Sequence, residues 1–302
     1  MHYLDKLVKE TMIEMVNSVD TTGDVPALLQ KVSTVAQIVN PGKASRIFTK
    51  GINRVYQCYL SGKLAEPDFE KFVEALTKTD TSVAVPTLHY LEALRTVEIA
   101  LEHKVNSLTS PHLKLLFVMW AVAIAGWMDP LRKEDASKIQ EVACKLRTVG
   151  SMLTPLKLKE VSRINVYLTS DGKAPFYAAN LYLNVMHGNE EGIKAVENFV
   201  GRTHHAHITA VVVTYLKFEV MNCLAGGHPH TLPNIVEEYY EDIKRYNEYV
   251  SILLLYEIIV RGNPFDFYCS ENKGLLSTFS PGFLKILQDK AKILPENVAS
   301  SF

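Results

Sequence analysis

Apolar residues recur along almost the whole chain at the three-to-four spacing that places them on one face of a helix. Leu4, Leu7, Val8, Met12, Met15 and Val16 start the pattern and predict an amphipathic N-terminal helix, ended near "DTTGDVP". Further helices are predicted over 26–39, 43–60, 67–77, 86–105, 111–127, 132–149, 156–168, 175–187, 190–200, 204–224, 233–261 and 280–292. Pro or Gly punctuates the breaks, as in "NPG" at 40–42, "TSP" at 109–111, "TSDGKAP" at 169–175 and "SPG" at 280–282. Strand-like alternation is rare. "HITAVVVTYL", 207–216, is β-branched enough for a strand but continues into a helical pattern, and reads as buried helix.

The expected fold is therefore all-α: a two-lobed helical protein of roughly a dozen helices with N- and C-terminal arms. The arms are residues 1–24 and 276–302, and the lobes 25–152 and 153–275, divided near the loop at 150–155 or the one at 169–175. Each arm carries an apolar face able to dock on its own chain or on a neighbouring subunit. The most hydrophobic run, "LLFVMWAVAIAGWM" at 115–128, lies between Lys114 and Asp129. A bilayer needs about 20 apolar residues, so this run is expected as a buried central helix with no transmembrane segment.

Charge changes the picture only locally. Lys and Arg number 32 and Asp and Glu 33, which argues against a uniformly basic nucleic-acid binder. A local stripe remains open, because screening over about 8–10 Å makes nearby charge matter more than the total. Cys58, Cys144, Cys223 and Cys269 are scattered without a C-x-x-C pair, which suits buried thiols in a reducing compartment. "MHYLDKLVKE" lacks an apolar signal region, so a cytoplasmic location is expected.

In "GKASRIFTKGINRVYQCYL", 42–60, Lys43, Arg46, Lys50 and Arg54 fall within an arc of about 80° on a helix. Phe48, Ile52, Val55 and Tyr59 take the opposite arc. No carboxylate stands among the four cations, unlike an ordinary salt-bridged solvent face. A ridge of this kind suits a phosphate backbone. A second basic concentration comprises Arg132, Lys133, Lys138, Lys145, Arg147, Lys157, Lys159, Arg163 and Lys173, with five acids in the same span. Tyr56, Tyr167, Phe176 and Tyr177 offer base-stacking surfaces, or serve in the core. Segment 232–271 reverses the sign, with eight acids against three bases.

Catalytic signatures are missing from the sequence: no G-x-S-x-G, P-loop or G-x-G-x-x-G occurs, so a non-enzymatic protein without cofactors is expected. The one competing constellation is histidine-rich. His204 and His207 in "THHAH" and His228 and His230 in "GGHPH" could hold zinc, or act as caps and loop residues.

The ridge in "GKASRIFTKGINR", the basic helix "KLKEVSRINVYL" and the arms "LDKLVKETMIEMV" and "FLKILQDKAKIL" give the chain a layout that resembles the nucleoproteins of negative-strand RNA viruses. The resemblance implies single-stranded RNA encapsidated through its phosphates, without sequence reading, in a basic cleft between the lobes. It further implies a homo-oligomer built by arm exchange, a viral polymerase as partner, and residence in host cytoplasm and virion. Lys43, Arg46, Lys50, Arg54, Lys159 and Arg163 would be the phosphate ligands by position. The alternative is a helical scaffold or adaptor whose basic ridge meets an acidic protein or a membrane surface.

Overall fold

The computed structural model describes residues 59, 62, 64–68, 110–127, 132–165, 170–263 and 273–291. The described residues are helical with no strand, so the all-α expectation holds. The chain folds as two compact units, residues 1–126 with 156–176 and residues 127–155 with 177–302. It passes between them after residues 126, 155 and 176.

In the first unit, α1 (Ser110–Gly126) carries the apolar run. Leu116, Phe117, Trp120, Ala121, Ala123 and Ile124 are buried, and Phe117 meets Trp120 edge-on at 6.5 Å between ring centroids. At 17 residues α1 is short for a bilayer, and among the described residues no helix is long and apolar enough to cross one. The short α3 (Leu158–Asn165) buries Val161, and Glu160 accepts the backbone N–H of Lys157, which closes its first turn. α4 (Ser170–Met186) begins in this unit and continues into the other.

The second unit is built around α6 (His205–Leu224), fifteen of whose twenty residues are buried. That burial explains why the β-branched run at 207–216 is helical. A helix apolar on all sides must be enclosed, and enclosure outweighs the few tenths of a kcal/mol per residue that Val and Thr lose to intrinsic preference. Around it stand α2 (Ala136–Met152), α7 (Asn234–Ile243) and α8 (Val250–Leu255), the last continuing as a π-helical turn, Tyr256–Val260. α4 and α5 (Glu190–Val200) meet at a tight turn where Gly188 has φ +63°. There Asn189 caps α5 through Gly192 N–H and donates to Asn184.

The predicted single helix over 233–261 is broken at 244–249, where a 3-10 turn, Asn247–Tyr249, joins α7 to α8. The consequence is visible in the rings. Tyr240 and Tyr256 sit 5.6 Å apart, whereas sixteen residues along one straight helix would separate them by about 24 Å.

The C-terminal helix, expected to dock on its own chain or on a neighbouring subunit, packs on its own unit. After the short α9 (Lys273–Leu276), Ser280 caps α10 (Pro281–Ala291) by accepting the N–H of Phe283 at 3.1 Å. Pro281 takes the first helical position, where its missing N–H costs nothing. Ser280 is tied to the start of α2 by its N–H to the Arg132 carbonyl at 2.8 Å and by its hydroxyl to the Glu134 carbonyl. Phe283 and Leu287 are fully buried. Gly282 lies so close that any side chain would start 2.8 Å from the Ala136 nitrogen.

Candidate nucleic-acid interface

The ridge Lys43, Arg46, Lys50 and Arg54 lies outside the described residues, as do Tyr56, Tyr167 and the side chain of Arg163. Phe176 and Tyr177, the other two candidate stacking rings, are buried. The remaining basic positions divide between the units. Lys159, Arg163 and Lys173 belong with the ridge in the unit of residues 1–126 and 156–176. Arg132, Lys133 and Lys145 belong to the other.

On α2 the cations are already engaged. Lys145 pairs with Glu141, and Lys138 with Glu134 at 3.8 Å, both at the i,i+4 spacing of one helix face. Arg147 donates to the Ala225 carbonyl at 3.1 Å, and Lys290 of α10 donates to the Cys223 carbonyl at 3.0 Å. Both cations therefore satisfy carbonyls at the C-terminal end of α6, where the last turn is left without donors and the helix dipole is negative. The Arg132 carbonyl anchors Ser280, and the Arg132 side chain is half-buried. This face is a salt-bridged and capping surface, not a free basic track; Lys133 is its exposed remainder.

α3 is different. Lys157 and Lys159 are exposed, and among the described residues neither makes an ion pair. The adjoining carboxylate, Glu160, is occupied by a backbone N–H. Arg163 follows one turn after Lys159, and Lys173 stands half-buried near the start of α4.

The histidines do not converge. His204 caps α6, its Nδ1 accepting the Ala206 N–H at 3.4 Å. His230 lies at the far end, bound to Glu219 of the same helix. Twenty residues of helix span about 30 Å, so the two H-x-H clusters cannot share an ion. The His207 ring meets Tyr177 edge-on at 5.7 Å, and His228 is exposed with its carbonyl accepting from Asn222. Among the described residues no three His, Cys, Asp or Glu side chains gather at metal-binding distance.

Two buried carboxylates went unnoticed in the sequence. Glu219, wholly buried on α6, accepts from the Tyr215 hydroxyl on Oε1 at 3.1 Å and from the His230 backbone N–H on Oε2 at 3.3 Å, and its Oε1 lies 3.0 Å from His230 Nδ1. Glu257, in the π-helical turn, accepts from Tyr240, Arg261 and Asn263. Arg261 also lies over the Tyr240 ring at 4.4 Å. Burial pushes the Tyr182, Tyr215 and Tyr240 phenols up, with the neighbouring carboxylates adding to it. The same causes raise the Cys223 thiol to about 12, which keeps it an inert buried group. Both carboxylates are closed by donors and hold loops: Glu219 the segment after α6, Glu257 the end of the π-helical turn. A glutamate within an apolar helical run was the one sequence signal for Glu219.

No family model, no curated protein and no solved structure matches this chain.

Proposed function

We propose that the protein binds single-stranded RNA without reading its sequence, through phosphate contacts made by the unit of residues 1–126 and 156–176. One observation carries this reading. Residues 25–65 hold six Lys and Arg and no Asp or Glu, and Lys157 and Lys159, at the start of α3, are exposed and make no ion pair among the described residues. The described cations of α2, by contrast, are mostly committed to carboxylates and carbonyls. Lys43, Arg46, Lys50, Arg54, Lys159, Arg163 and Lys173 are the proposed phosphate ligands; Arg132, Lys133 and Lys145, which belong to the other unit, leave the set. Assembly into a ribonucleoprotein, with the viral setting that the nucleoprotein layout implies, rests on the N-terminal segment 1–24, since α10 is packed in cis.

The test uses the full chain and fluorescently labelled single-stranded RNAs, one a uridine homopolymer and one of mixed sequence, titrated at several salt concentrations. Equal affinity for both is expected. For Lys50→Glu with Arg54→Glu, the salt slope falls by about 1.4 if two phosphate contacts are lost, at about 0.7 each for a single strand. Helicity by circular dichroism stays unchanged. Wild-type protein indifferent to both RNAs at low salt defeats the proposal and favours the adaptor, whose ridge would then retain acidic vesicles or acidic peptides.

A further inference from the structure

We infer that His230 is a nucleophilic site that takes an activated acyl group on its Nε2. The loop after α6 returns His230 to that helix, where its Nδ1 lies 3.0 Å from Oε1 of the wholly buried Glu219. The Tyr215 hydroxyl and the His230 backbone N–H donate to the same carboxylate. A carboxylate accepts only, so it accepts from Nδ1 as well and fixes the proton of the neutral imidazole there. Nε2 then carries a lone pair. Among the described residues Nε2 has no hydrogen-bond partner and it is not buried, so that lone pair opens to solvent. The Tyr182 ring stands edge-on to the imidazole at 5.7 Å and holds its plane from one side.

Other histidines of this unit are set differently. His204 Nδ1 accepts the Ala206 N–H, and His187 Nε2 donates to the Leu153 carbonyl at 3.1 Å, so both rings carry their proton on Nε2. His205 Nε2 faces Asp242 at 3.7 Å. The His228 ring is exposed and, among the described residues, has no carboxylate against it. The placement of Glu219 matters during attack. Nε2 forms a bond to the acyl carbon while the bond from that carbon to the leaving group breaks, and the leaving group departs with the electron pair. The imidazole becomes a cation whose Nδ1 proton stays on Glu219, and the buried carboxylate stabilises that charge as it forms. Water then attacks the acyl carbon, the carboxylic acid departs and the lone pair is restored. An imidazole readily displaces only good leaving groups, so the class of donor is an anhydride or an acyl phosphate. This inference does not depend on RNA binding.

The experiment treats the full chain with diethyl pyrocarbonate at neutral pH and follows carbethoxylation of each histidine by peptide mass spectrometry. His230, its side chain only 26 % exposed, is expected to react severalfold faster than the exposed His187, His204 and His228. Glu219→Gln keeps the shape and an acceptor but removes the charge. It should slow His230 about tenfold, as loss of a partner that holds a histidine does, and leave the other three unchanged. A wild-type ranking in which His230 is not the fastest of the four overturns the inference. So does a folded Glu219→Gln variant whose His230 reacts as fast as before or faster, the result expected if Glu219 only holds the loop closed. If Glu219→Gln fails to fold by circular dichroism, the wild-type ranking alone decides.

Discussion

Phe283→Ala tests the placement of α10. Phe283 is fully buried, its ring edge-on to Phe279 at 5.2 Å, on a helix capped by Ser280 against the start of α2. Removing a buried phenyl ring loses its transfer free energy and leaves a cavity, typically about 3–5 kcal/mol together. A native protein holds about 5–15 kcal/mol in all, so the loss is a large fraction of it. With a guanidinium dependence of about 4 kcal/mol per molar, the unfolding midpoint should fall by about 1 M. The chain has two tryptophans, Trp120 in the first unit and Trp127 in the second, both buried. In a Trp120→Phe background, Trp127 fluorescence therefore reports on the unit that holds α10. Lys285→Ala, exposed on the same helix, should stay within about 0.5 kcal/mol of wild type. If Phe283→Ala leaves the midpoint in place but shrinks an oligomer, α10 docks on a neighbour and the cis packing is refuted.

Three further outcomes are expected. Glu219→Leu strips the acceptor from Tyr215 and His230 and should cost about 1–3 kcal/mol, as leaving a buried donor unpaired does; hydrogen exchange should rise first in 225–233, and unchanged protection there would remove Glu219 as the loop's anchor. The Cys223 thiol is raised to about 12 when folded, so the unfolded chain ionises first and stability is lost as pH rises above about 9. At pH 10 the loss is about 1.4 kcal/mol, absent in Cys223→Ala; equal pH profiles for the two proteins would contradict it. In RNA titrations Lys159→Glu should weaken binding severalfold and Lys145→Glu hardly at all, since only the latter cation is already paired; the reverse order would exchange their roles.

The basic positions show how far spacing alone reaches. Lys145 and Lys159 look alike in sequence. Their difference is local and was legible in part: Glu141 stands four residues before Lys145, at the pairing distance of one helix face, whereas Glu160 stands beside the first turn of α3 and closes it. Arg147 and Lys290 were not legible as caps. Their carbonyl partners lie 78 and 67 residues away in the chain, and only the fold brings them to the end of α6.

The sequence by itself determined helical class, because a 3.6-residue period leaves a continuous apolar stripe that only helices can bury together. It also determined starts and stops such as Ser280–Pro281, where side chain and backbone act within one turn. The tertiary structure decided which faces were already satisfied. α10 was packed against the start of α2, and the 233–261 pattern folded back at 244–249, so that Tyr240 reached Tyr256 and Glu257. Periodicity reports that a face is apolar; only contacts between distant segments settle what covers it.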